Sequence, residues 1–168
     1  MAVYKIFPYK DASIYSSLPL MNSGMDAISE ITNALAVDGN PEVSRFLTQF
    51  DSTEINNVIN DKIGSSQWDV KLNLFVATAQ GISSEYIAEI WPVAQDWNNG
   101  TGEYLDSPQT EDGISWTYSN YSGSNPWSMN GSIGTELFTG SYNSNYASQG
   151  GGNWFYSGSG VSSYLVTQ

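Results

Sequence analysis

Carboxylates are the side chains through which this chain could most readily do hydrolytic chemistry. Glu89 with Asp96, or Glu103 with Asp106, are close enough in sequence to act as the acid and base of a glycosidase, the common hydrolysis that needs no histidine. The 168 residues contain no histidine and no cysteine, which excludes Ser-His and Cys-His nucleophiles, thiolate-held zinc or iron–sulfur groups, and disulfides. Acids beside turns more often bond backbone N–H groups or keep a protein in solution, so the chain is expected to be non-enzymatic, with no catalytic residues.

Oxygen-only ligand chemistry leaves calcium. Asp11, Asp26, Asp38, Asp96 and Asp106 sit beside turns that also expose carbonyls. No loop has the D-x-[DN]-x-[DN]-G spacing with a closing glutamate, so a second reading stands beside the first, in which each aspartate closes its own turn. No cofactor is expected, and calcium remains an option.

Aromatic residues offer a third kind of chemistry, contact without reaction. Tyr121, Trp127, Tyr142, Tyr146, Trp154 and Tyr156 lie in Ser-, Gly- and Asn-rich sequence and could present flat faces to a sugar ring or a partner protein. The alternative is that Trp116, Trp127 and Trp154 fill a core while the tyrosines cover its rim. Exposed aromatic patches usually mark an interface, so the tyrosines are assigned to a contact surface.

Charge restricts the partners. Seventeen acids against five bases give a net charge of −12, which repels the phosphates of nucleic acids and anionic membranes. All five bases lie at or before Lys71, and after Asp112 the only charged residue is Glu136. No apolar run approaches the roughly 20 residues that span a bilayer, and Met1 to Pro8 is too short for a signal-peptide core. A single domain over 1–168 is expected, with an aromatic, nearly uncharged last third at 113–168.

The elements that must hold these residues follow from periodicity. Ser44–Asp51 alternates Phe46, Thr48 and Phe50 with Arg45, Leu47 and Gln49, as a half-buried strand does. Asp51-Ser52-Thr53-Glu54 is a helix start, and Ile55, Val58, Ile59 and Ile63 follow on one face until Gly64 stops the helix, giving one short helix over about 52–63. Further strands are expected at Asp11–Tyr15, Ile31–Val37, Val70–Val76, Tyr86–Val93, Ile114–Tyr118, Gly134–Phe138, Trp154–Tyr156 and Val161–Val166. Asp38-Gly39-Asn40-Pro41 and Trp97–Gly102 supply turns. Arg45 is the only arginine; flanked by apolar residues, it should pair with a carboxylate or with carbonyls. Phe46, Phe50, Trp91, Trp97 and Trp116 are assigned structural roles beside it. Many short strands with one helix make an all-β fold the expectation, as a jelly-roll-like antiparallel β-sandwich.

Five motifs then resemble one family: Asp11-Ala12-Ser13-Ile14-Tyr15; Asn22-Ser23-Gly24; Ser44–Asp51; Trp91–Trp97 with Gly100-Thr101-Gly102; and Gly113-Ile114-Ser115-Trp116. Together they are similar to the DNRLRE-type β-sandwich domains, above all those in virion structural proteins of marine and cyanobacterial tailed phages. The likeness runs from about Ala2 to about Trp154. It departs at Gln49, where many relatives carry a second base, so a charge pair made there does not carry over. The resemblance implies a jelly-roll sandwich, no catalytic residues, and a place in the virion, assembled in the host cytoplasm. Its partners would be other virion proteins and copies of itself. The same fold and aromatics suit a carbohydrate-binding module that recognises a host-surface glycan, and that alternative stays open. The uncharged run Val161–Val166 is expected to be paired on both sides, by a neighbouring subunit or by residues beyond 168.

Overall fold

The computed structural model describes residues 3–35, 41–64, 67–78, 85–90, 92–127, 137–139, 151–155 and 163–167. They form small antiparallel sheets with one short helix, an all-β architecture.

The first sheet is built on β3 (Pro41–Gln49), which runs between β1 (Lys10–Tyr15) and β2 (Asn33–Leu35). Asp11 pairs with Thr48, Ile14 with Arg45 and Asn33 with Val43, so β3 has a strand on each side. β1 is buried from Ala12 to Tyr15 on both faces, which explains a run without strict alternation. Its outer edge is closed by a side chain. Ser13 N donates to Ser23 Oγ at 3.1 Å, and that hydroxyl donates to Ser13 O at 2.6 Å. A strand edge satisfied in this way offers no template for further pairing.

Asp51 caps the helix as its position predicts, Oδ1 accepting from Thr53 N at 2.7 Å. Helix α1 (Ser52–Asn57) widens into a π-helical turn over Val58–Ile63, closed by Gly64 N donating to Ile59 O at 2.7 Å. Gly64 sits at φ 63°, a positive φ that favours glycine. Ile55, Val58, Ile59 and Ile63 are half-buried while their neighbours are exposed, which is the expected face.

The remaining ladders are two-stranded: β4 (Glu85–Glu89) with β9 (Ser163–Thr167), β5 (Tyr118–Asn120) with β6 (Asn125–Pro126), and β7 (Leu137–Thr139) with β8 (Asn153–Phe155). The C-terminal run is therefore paired along one edge, by β4, and its other edge meets no strand among the described residues.

Two expectations fail here. Val70–Val76 forms no ladder, and its side chains lie open: Val70 is 74% exposed and Phe75 94%. Alternation prescribes which face a residue would take in a sheet, but a strand also needs a neighbour for its N–H and C=O groups. Ile114–Trp116 is loop rather than strand. Ile114, Ser115 and Trp116 are buried in succession because loops and strands enclose them on every side. The Asp38–Asn40 turn lies outside the described residues.

The core unites distant segments: Ala12, Ile14 and Leu47 from the first sheet meet Trp97, Ile114, Trp116 and Trp127.

Candidate functional site

The loops that shape the molecule's surface are tied by one amide. Asn22 is fully buried and all four of its hydrogen-bonding positions are used. Nδ2 donates to Asn99 O at 2.7 Å and to Ile114 O at 2.8 Å, while Oδ1 accepts from Gly102 N at 2.7 Å and Gly24 N at 3.1 Å. The glycines of the family-like motifs pack here. Gly100 has φ 79°, and a side-chain carbon on it would sit 2.5 Å from the Asn22 amide; one on Gly113 would sit 2.4 Å from Gly100 Cα. Only a bare backbone lets three loops close over Asn22.

Arg45 provides a second tie. Its guanidinium lies over the Trp116 ring, and Nη1 donates to Gly151 O. The expected carbonyl partner is present, joined by an aromatic face. Burial pushes the guanidinium down to about 10, still protonated at neutral pH. Phe46 is half-buried on the same strand, and Phe50 is half-buried just past its end. Gln49 leaves its amide oxygen buried with no hydrogen-bond partner among the described residues.

These ties position an open cleft of about 620 Å³ between the start of β1, the 95–98 loop and the β5–β6 turn. Lys10, Gln95, Asp96, Trp97, Asn98 and Asn120 line it, with Asn125 and Pro126 at the turn. Lys10 Nζ donates to Trp97 O at 2.6 Å, lies 3.5 Å from Asp96 Oδ1 and covers the indole of Trp97 at 4.8 Å from its centre. Gln95 Nε2 braces the far wall by donating to Ser119 Oγ and Pro126 O, both at 3.0 Å. The Asn120 and Asn125 amide nitrogens converge above Gly123, where a side-chain carbon would meet them at 3.1 and 2.6 Å. Planar amides beside one carboxylate and one ammonium can donate to and accept from a neutral, hydroxyl-rich ligand.

Tyr121 stands at the margin of this turn, half-buried, with the Tyr118 ring edge-on at 4.9 Å. A hydrogen bond to Glu111, together with that residue's negative charge, raises the Tyr121 phenol above its ordinary range. Trp127 does not join it. The indole is 3% exposed and its Nε1 donates to Ser115 O at 2.9 Å, so of the two roles weighed for it, contact face and core, Trp127 takes the core one. Trp97 and Trp116 are in the core as assigned. Trp91, Tyr142, Tyr146 and Tyr156 lie outside the described residues, and Trp154 is placed only by its backbone, in β8.

Asp96 and Asp106 bond within their own turns, whereas Asp26 and Asp11 reach other segments. Asp26 Oδ1 accepts from Tyr104 N, Asp96 Oδ1 from Trp97 N, Asp106 Oδ1 from Thr110 N and Asp11 Oδ2 from Ser29 Oγ. The Thr110 bonds hold the Asp106 carboxyl below its ordinary range. Among the described residues no three carboxylates gather as a metal-binding group. Lys10, Asn98, Asn120 and Asn125 are the cleft residues that sequence reasoning missed; the asparagines read as turn formers, and Lys10 carried no motif.

No protein-family model, curated protein or solved structure matches the chain.

Proposed function

We propose that the chain is a non-enzymatic structural protein that works through protein–protein contacts, and that its setting is the virion of a tailed bacteriophage. The observation that carries the contact reading is the exposure of apolar side chains over residues 68–76. Trp68, Val70, Leu72, Leu74 and Val76 are between 45% and 74% exposed and Phe75 94%, a concentration of open apolar surface of the kind that marks an interaction site. The virion setting rests on the family-like motifs, several of which meet around Asn22. A jelly-roll-like sandwich, assembly in the host cytoplasm and partnership with other virion proteins belong to the same reading. Antibodies against the protein should label intact particles of the phage that encodes it under negative stain. Purified particles that lack the chain by mass spectrometry would overturn the setting.

A second reading has its own observation, the amide-lined cleft. Gln95, Asn98, Asn120 and Asn125 suit the hydroxyls of a neutral saccharide, and the chain's net charge argues against an anionic one. On a glycan array the wild-type protein should retain a neutral oligosaccharide that the Asn98→Ala/Asn120→Ala variant does not. An array without any signal removes this reading.

A further inference from the structure

We propose that the surface built from residues 25–31 and 103–106 docks a basic segment with apolar side chains, supplied by a different protein. This goes beyond the contact reading above, since it uses other residues than 68–76 and states the chemistry of the partner. Met25, Ile28, Ile31, Tyr104 and Leu105 are between 46% and 65% exposed. The two segments are bonded to each other. Met25 N donates to Gly102 O at 2.9 Å, Tyr104 N donates to Asp26 Oδ1 at 2.9 Å, and the Tyr104 ring lies 5.0 Å from that of Tyr15, whose hydroxyl donates to Glu30 Oε2 at 3.3 Å. Leu105 sits at φ 58°, uncommon for a residue other than glycine, and its N–H is held by Met21 Sδ at 3.4 Å. The loop thus keeps a leucine open in a backbone geometry that asparagine would take more easily.

Charge says what covers this surface. Asp26, Glu30, Glu103 and Asp106 stand among its apolar side chains, neither segment holds a base, and among the described residues no ion pair reaches any of the four. The Tyr15 phenol registers the resulting potential, because the charges of Glu30 and Asp26 add to burial in raising it. Other open apolar stretches differ in sign: residues 67–78 carry one acid and one base, and residues 3–10 carry two lysines and no acid. A second copy, at net charge −12, is repelled by this surface. An uncharged partner would cover carboxylates and leave them uncompensated. A cationic partner is drawn by the whole molecule and matched on contact. Strand addition is closed to it, because the N–H groups of Met25, Glu30, Tyr104 and Leu105 are already bonded within the chain. Recognition therefore runs through side chains, which suits the apolar stripe of a helix flanked by Lys or Arg.

The probe is a labelled amphipathic Leu/Lys helical peptide, titrated with the full chain and followed by fluorescence anisotropy. Wild type should bind it, should not bind a Leu/Glu peptide of the same pattern, and should bind more weakly as salt is added. Leu105→Asn, which suits the positive φ, should weaken binding about tenfold or more through lost apolar contact. Glu30→Gln/Glu103→Gln should weaken it about fivefold and flatten the salt dependence. Asp61→Asn/Asp69→Asn removes the same charge from exposed positions elsewhere and should leave the affinity within about twofold. Near-UV circular dichroism verifies the fold of each variant, and the glutamine pair tests the surface if Leu105→Asn unfolds. No binding by wild type, an equal loss in the Asp61/Asp69 pair, or equal binding of a Ser/Lys peptide of the same charge overturns the proposal. So does a wild-type dimer that Leu105→Asn dissolves, which would make a copy the occupant. Particle labelling that persists without peptide binding removes this surface and leaves the virion reading standing; peptide binding by a chain absent from particles does the reverse.

Discussion

The guanidinium carbon of Arg45 lies 4.7 Å from the centre of the Trp116 indole, with Gly151 O accepting at its edge. One side chain thus joins β3 to two segments far along the chain. Arg45→Ala leaves a void, an orphaned carbonyl and an uncovered ring, and should cost on the order of 3 kcal/mol in urea unfolding. Arg45→Lys should recover less than half of this, since a compact ammonium does not stack as a planar guanidinium does. An unmoved midpoint for Arg45→Ala would mean that this tie contributes nothing.

Asn22→Ala should be more damaging. It strands the N–H groups of Gly24 and Gly102 and the carbonyls of Asn99 and Ile114, at a cost of about 4 kcal/mol or more. Asn22→Leu should do no better, because the loss is of hydrogen bonds and not of volume. Thermal melts of the two variants check this, and a melting point within a few degrees of wild type for either one contradicts it.

Thr48 gives the opposite sign. Its hydroxyl is buried on β3 with no hydrogen-bond partner among the described residues. Thr48→Val keeps the branched shape suited to a strand and removes the orphan, so it should stabilise by about 1 kcal/mol. A destabilised Thr48→Val would show that the hydroxyl is satisfied in solution.

Tyr15 should make the fold sensitive to alkali. Burial raises its phenol well above the ordinary value of 10.0, helped by the charges of Glu30 and Asp26. The stabilisation is complete below the unfolded value, declines once pH rises past it and the unfolded chain ionises first, and is gone above the folded value. Unfolding free energies measured from pH 9 upward should therefore fall more steeply for wild type than for Tyr15→Phe. Every other titratable group is common to both proteins, so the difference isolates Tyr15, and parallel curves would refute the assignment.

Local chemistry was the readable part of this chain. Asp51 as a cap, Gly64 as a stop and β3 as a strand each depend on a few neighbouring residues, and each is found where expected. Pairing was not readable in the same way. Val70–Val76 has the clearest alternation in the chain and no ladder, whereas β1 has poor alternation and is buried on both faces. Asn22, Gly100 and Gly113 stood out as motif residues, but that the amide of Asn22 fills the space left bare at Gly100, while Gly113 packs on the Gly100 backbone, emerges only when loops far apart in sequence close together. Trp127 shows the same limit, since an indole amid Ser, Gly and Asn looks like loop decoration until Ser115 O is found to accept from it.

Residues 67–78 separate two parts of the chain that grip each other elsewhere. Lys10 reaches Trp97, Asn22 reaches Asn99 and Gly102, and Arg45 reaches Gly151, each link crossing from before the stretch to after it. Peptide continuity through the stretch adds little to what those links supply. A protease that cuts after Lys71 would therefore produce a nicked molecule whose two fragments migrate as one under native conditions and part only in denaturant.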